Sequence, residues 1–169
     1  KALLHTSTFG GNTRTMAAGI AAIDATISAN LPGQAQEKGD YLLEKIRELG
    51  KHHDLITEVR GRGLLIGVEF SKPTGLVDRL TKGAVSKFSE EYLGAMVAGE
   101  LLNRHRFITA YTLNNPNVIR LEPPLIVSRA ELDKLIGALD SIFTRNRSHI
   151  RMAMASTKTV VSGLFNKRH

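Results

Sequence analysis

The residues best equipped for chemistry stand near the start of the chain, in the stretch "HTSTFGGNTRT" at positions 5–15. Ser7 and Thr8 offer hydroxyls, Gly10 and Gly11 free the backbone for close approach, and Asn12 or Thr13 can cap the alanine-rich helical pattern that follows. Hydroxyls beside unpaired N–H groups at a helix start are what a phosphate dianion needs. Taken alone, these residues describe an ordinary capped loop better than a ligand site. The other chemically capable side chains are less suggestive. His52 and His53 beside Asp54 point apart from one another and no second cluster completes a metal site, so they read as a solvated loop. His5 reads as a hydrogen-bonded structural histidine, Glu90 and Glu91 as a solvated helix start, and Gly61 and Gly63 as backbone geometry.

Positioning such a loop requires the elements around it. Met16, Ile20, Ile23 and Ile27 recur at helical spacing over residues 12–30 and predict a helix with one buried face. "LPGQ" at 31–34 is expected to interrupt it. A second helix over about 34–49 turns Tyr41, Leu42, Ile46 and Leu49 inward, with Gly50 as its stop. "LITEVRGRGLLIGVEFS" (55–71) reads as two strands joined or bent at Gly61 to Gly63. A helix over about 89–104 would use Tyr92, Leu93, Met96, Val97, Leu101 and Leu102, and two short strands, 107–112 and 117–123, either pair as a hairpin or lie at two edges. Ser128 with Glu131 three residues on forms a capping-box signature, followed by an apolar stripe from Leu132 to Phe143. This order implies an α/β or α+β domain with a few-stranded sheet covered by helices on one face.

At 169 residues, 42% hydrophobic and 23% charged, the chain has ordinary globular composition. It has no cysteine, which removes disulfides and thiolate metal sites and agrees with a cytoplasmic location. No leader-like or membrane-length apolar run is visible. The formal charge of +7 is concentrated at one end: six basic residues and no acidic one follow Asp140, which leaves +1 for residues 1–140. The tail has Phe165 as its one aromatic after residue 145, which argues against nucleic-acid binding, and a linker or the beginning of a further domain is a better reading than a cationic amphipathic helix.

Three separated blocks, "HTSTFGGN" before a long helix, "EVRGRGLLIGVEF", and "VIRLEPPLIVSRAELDKLIGALDSIF", together resemble the C-terminal part of the class III aminotransferases, pyridoxal-phosphate (PLP) enzymes of the ornithine, acetylornithine, putrescine and 4-aminobutyrate type. The resemblance covers residues 1 to about 145. It departs at Thr13, where many relatives carry proline. It implies the C-terminal domain of the fold-type I PLP-dependent architecture, with residues 1–32 as the end of the large domain, 33–145 as the small domain and 146–169 as a basic tail or linker. It implies that Ser7 and Thr8 contact the PLP phosphate of the other subunit of a homodimer, and that Arg120 takes the carboxylate of an amino acid or 2-oxo acid. It also implies that the Schiff-base lysine lies a few dozen residues upstream of the Thr8 loop, before Lys1, so that this chain alone would be inactive; none of its ten lysines is placed like that one. The expected activity of the intact protein is transfer of an amino group from an amine or ω-amino acid to a 2-oxo acid. The alternative is a non-catalytic, aminotransferase-like binding or assembly module of a larger polypeptide.

Overall fold

The computed structural model describes residues 7–71 and 84–146, and the side chains of helical residues 84–91 are left aside. His5, Glu90 and Glu91 as side chains, the polar stretch after Ser71 and the basic tail beyond Asn146 therefore lie outside the described residues.

Asn12 begins the structure's first helix, α1 (Thr13–Ser28), its Oδ1 accepting from the Thr15 backbone N–H at 3.1 Å. The stretch "LPGQ" does not interrupt the helical region as expected; it forms the first turn of α2 (Leu31–His52). Proline at a first helical turn has no hydrogen bond to lose. The reversal is absorbed one residue earlier by Asn30, in the left-handed region at φ 47°, which asparagine tolerates better than most side chains. Gly50 is likewise no stop, because the helix runs on to His52. A Cβ at Gly50 would make ordinary contact with Ile56, the first residue of the next strand.

The glycine-containing segment is a hairpin, β1 (Ile56–Arg62) and β2 (Leu65–Phe70), whose register pairs Arg62 with Leu65 and leaves Gly63 and Leu64 as a two-residue turn. Gly63 takes φ +55°, the positive value that tight hairpin turns demand of glycine. Helix α3 (Ala84–His105) begins earlier than the periodicity suggested. It leads to β3 (Ala110–Tyr111) and β4 (Val118–Leu121), which pair with each other as a hairpin. Helix α4 (Arg129–Arg145) carries the expected capping box: Ser128 Oγ accepts from Glu131 N–H at 3.2 Å and Glu131 Oε2 accepts from Ser128 N–H at 2.8 Å.

The sheet is antiparallel throughout, in the order β1-β2-β4-β3. Val59, Ile66, Val68, Ile119 and Leu121 point to one face, where they meet Leu42 and Ile46 of α2, Leu93 and Val97 of α3, and Leu139 and Phe143 of α4. Each such side chain contributes about 1.5–3 kcal/mol by leaving water. A seam of polar contacts joins α2 to α4. Tyr41 donates to Asp133 and carries Arg129 over its ring at 3.8 Å, while His53 Nε2 lies 2.8 Å from Asp140 Oδ1 and its ring packs on Phe143.

Three expectations about burial are corrected. Met16, Ile20, Ile23 and Ile27 are 59–71% exposed, because a stripe at helical spacing says that a face is to be covered without saying by what, and nothing among the described residues covers it. Tyr92 and Leu102 are nearly half-exposed, at the margin of the α3 stripe. The side chain of His53 is only 11% exposed, so it is a tied-down helix cap and not part of a solvated loop.

Two glycines let helices sit directly on turns. A Cβ on Gly39 of α2 would overlap the Gly63 carbonyl in the β1–β2 turn, and one on Gly94 of α3 would overlap the Pro116 carbonyl between β3 and β4. Gly39→Ala should therefore destabilise by about 1–3 kcal/mol through overpacking. Gly137→Ala, where a Cβ meets nothing within 4 Å on an exposed helix position, should stabilise by up to about 1 kcal/mol. Urea midpoints of the two variants check both signs. The Ser128 backbone N–H, and after it the Ser128 hydroxyl, hold the Glu131 carboxyl below its ordinary value. A folded-state value that is lowered adds stability above the unfolded value, about 4.3 for glutamate, and loses it as pH falls through the folded one. The stability gap between wild type and Glu131→Gln should accordingly be widest near neutrality and close at acid pH, as urea titrations across that range would show.

Candidate functional site

The loop before α1 is built as its sequence suggests. Gly10 N–H donates to Ser7 O at 3.3 Å and Asn12 N–H to Phe9 O at 3.2 Å, so residues 7–12 fold into a compact turn leading into the helix. Gly11 takes φ +79°, and a Cβ on Gly10 would stand 2.9 Å from Ser7 Oγ. Glycine at both positions therefore lets the backbone curl around the hydroxyl. Residues 7–12 are exposed, and neither Ser7 nor Thr8 finds a side-chain partner among the described residues. The first turn of α1 carries no acidic residue, so the positive end of a 16-residue helix has no carboxylate partner there, and Asn12 caps only its Thr15 N–H. Two hydroxyls with a glycine turn at a helix start fit the phosphate of PLP; the loop offers nothing for the rest of that cofactor.

Arg120 lies in the middle of β4, on the sheet face that no helix among the described residues covers. Its neighbours follow from register. Gly67 of β2 stands opposite it on one side and Ala110 of β3 on the other, while Arg60 of β1 pairs with Gly67 from beyond. One transverse row thus reads Arg60, Gly67, Arg120, Ala110, two guanidinium groups separated by a glycine.

The two arginines differ in how they are held. Arg60 Nη1 reaches Glu69 Oε2 at 2.6 Å and Glu58 Oε2 at 2.9 Å. The hydrogen bond to Glu69 is the main reason its basicity is raised further, with the Glu58 charge adding to it. Glu69 is also approached by Asn115 Nδ2 at 3.3 Å, so Arg60 belongs to a closed polar network. Arg120 Nη1 is 3.5 Å from Glu122 Oε1, longer than the 2.7–2.9 Å of a charge-assisted hydrogen bond, and both groups are about half-exposed. Its planar fork of donors is open to a carboxylate.

The loop and Arg120 are not brought together. No hydrogen bond or ion pair links them among the described residues, and neither borders the two described cavities. The larger cavity, about 520 Å³, lies between His52, His53, Asp54, Asp140 and Phe143, and the smaller, about 320 Å³, between Gly99, Leu102, Ile108 and Tyr111. The histidine pair forms no metal cluster with other residues among those described. The sequence singles out Arg120 but not the row in which it stands. The period-two alternation of "RGR", "IGVE" and "VIRLE" carries the facing of each residue, but the pairing of strands distant in sequence is needed to align them.

The family model described as aminotransferase class-III matches residues 1–143. Similar solved structures include acetylornithine aminotransferase from Elizabethkingia anophelis, 27% identical with a TM-score of 0.62, covering 83% of this chain and 32% of that one. Ornithine aminotransferase from Plasmodium yoelii is 25% identical with a TM-score of 0.63, again covering 83% and 32%. An amine transaminase from an uncultivated Pseudomonas species, in its PLP-bound form, is 28% identical with a TM-score of 0.65, covering 85% and 30%. The chain therefore spans about a third of the length of these relatives, and its four-stranded sheet with flanking helices is part of their fold. On the match over residues 1–143, the chain belongs to the class III aminotransferase family.

Proposed function

We propose that this chain is the C-terminal segment of a PLP-dependent transaminase, acting in a homodimer of the full-length protein in the cytoplasm. Its residues 1–32 would end the large domain, 33–145 form the small domain, and 146–169 a basic tail or linker. The observation that carries this reading is the pairing, within one family-matched chain, of an exposed hydroxyl and glycine loop at a helix start with an under-compensated arginine on an open sheet face. That the two lie apart within the chain agrees with the loop serving the neighbouring subunit's cofactor.

PLP, when bound, supplies an electron sink for the carbanion formed at the substrate carbon. The residues described do the holding. Ser7 and Thr8 would donate hydrogen bonds to phosphate oxygens while keeping their protons, and the leading N–H groups of α1 would add their dipoles toward the same anion. Arg120 grips a carboxylate through two parallel N–H bonds, which fixes the substrate's orientation so that the amino or oxo carbon is presented in one pose. The lysine that carries the cofactor is assigned to the part of the full-length protein outside these residues. The amino donor would be an amine or ω-amino acid and the acceptor a 2-oxo acid.

Borohydride reduction of the full-length protein with PLP, followed by mass spectrometry, should find one phosphopyridoxyl-lysine outside residues 1–169. The absence of any specific modification would leave an aminotransferase-derived assembly module instead. Arg120→Gln should lower kcat/KM for the 2-oxo acid roughly 10- to 150-fold, the equivalent of a lost charge-assisted hydrogen bond of about 1.5–3 kcal/mol. Thr8→Ala should weaken PLP binding, read by dialysis and fluorescence, by roughly tenfold with KM for the acceptor little changed.

A further inference from the structure

Most of the strained or crowded glycines in the sheet and its supports are explained by the chain itself. A Cβ on Gly61 would overlap the Leu65 carbonyl, those on Gly39 and Gly94 would overlap turn carbonyls, and Gly63 needs its positive φ. Gly67 is different. Its φ lies in the ordinary range, and a Cβ there would meet Val118 Cγ1 at 3.5 Å and Arg60 O at 3.9 Å, which is ordinary contact. The fold has room for a larger residue at this position.

A glycine inside a strand weakens it, by about 0.5–1 kcal/mol relative to alanine, and otherwise marks a bulge or the close approach of a ligand or another backbone. Gly67 sits in unbroken register with Arg60 on one side and Arg120 on the other, which excludes the bulge. It also points to the face that no helix among the described residues covers, away from the core cluster. The space above it is therefore flanked by the strands of Arg60 and Arg120, about 4.8 Å to either side, with the Val118 side chain at one end. Arg60 is a fixed wall, because Glu58 and Glu69 occupy it. Arg120 keeps donors to offer, and its other cross-strand neighbour, Ala110, is also small.

We propose that Gly67 is a specificity-determining position: its missing side chain leaves a trough beside Arg120 in which the unbranched carbon chain of a bound carboxylate lies flat against the strand. The inference rests on the assignment of Arg120 as carboxylate anchor and adds the shape of what is accepted. A slender chain between two functional groups, as in a linear dicarboxylate or an ω-amino acid, lies in the trough; a branch next to the carboxylate end collides with the strand or with the Arg60 network.

The test uses the full-length protein with PLP, in wild-type form and as Gly67→Ala, Gly67→Val and Arg120→Gln. Glutarate binding is measured by calorimetry and thermal stability by melting. Gly67→Val should weaken glutarate binding about tenfold or more, in the range that one or two misplaced methyl groups cost a pocket. Gly67→Ala should weaken it less, with its melting temperature equal to or above that of wild type. If Gly67→Val does not fold, the alanine variant alone decides, and unchanged affinity there overturns the proposal. Unchanged glutarate affinity in both glycine variants, while Arg120→Gln loses it, overturns the trough and leaves the anchor standing. Full affinity in Arg120→Gln overturns the anchor, and the trough with it. A marked loss of melting temperature in Gly67→Ala overturns the proposal in a third way, by showing that protein, and not ligand, fills the space.

Discussion

The close seating of two helices on two hairpin turns governs the rest of this fold. Helix α2 presses Gly39 against the Gly63 carbonyl, and α3 presses Gly94 against the Pro116 carbonyl, with no side chain between backbone and backbone. These contacts set how near the helices come to the sheet, and so how fully Leu42, Ile46, Leu93 and Val97 cover one of its faces. Most of the large apolar surface of the sheet is committed to that side, with Leu65 and Val118 on the other. The opposite face is otherwise left to Arg60, Gly67, Glu69, Arg120 and Glu122, residues that need water or a polar ligand.

That division gives the open face its chemistry. The charges on it are not equivalent, although they lie within a few strands of one another. Glu58, Glu69 and Arg60 satisfy each other and stiffen the β1 side, while Arg120, with a single long contact to Glu122, retains the donors to capture an anion. The turn at Ser7 to Asn12, the proposed phosphate contact, precedes α1, whose apolar face is bare among the described residues. Separation of the two features and exposure of the stripe agree with a segment designed to meet surfaces beyond itself.

Much of this was legible from residue types and spacing. The capping box at Ser128 and Glu131, the stripe of α4 and the glycine-centred hairpin are local in sequence, and each has a single favourable local structure. Failures came where the deciding partner is distant or where two local rules compete. "LPGQ" reads as a breaker, yet Pro32 fits a first helical turn once Asn30 takes the left-handed conformation. His53 looks solvated until Asp140 and Phe143, nearly ninety residues on, close over it. The row from Arg60 to Ala110 needs three strand registers at once, and no window of sequence contains them.

A crystal structure of the full-length protein with PLP and glutarate would test the central claim, that this segment supplies a carboxylate anchor at Arg120 and a phosphate contact at Ser7 and Thr8. The expected result is one glutarate carboxylate in the fork of the Arg120 guanidinium, and the cofactor phosphate of the neighbouring subunit against the two hydroxyls. An Arg120 side chain turned to Glu122 and solvent, with the phosphate held wholly by other residues, would contradict it.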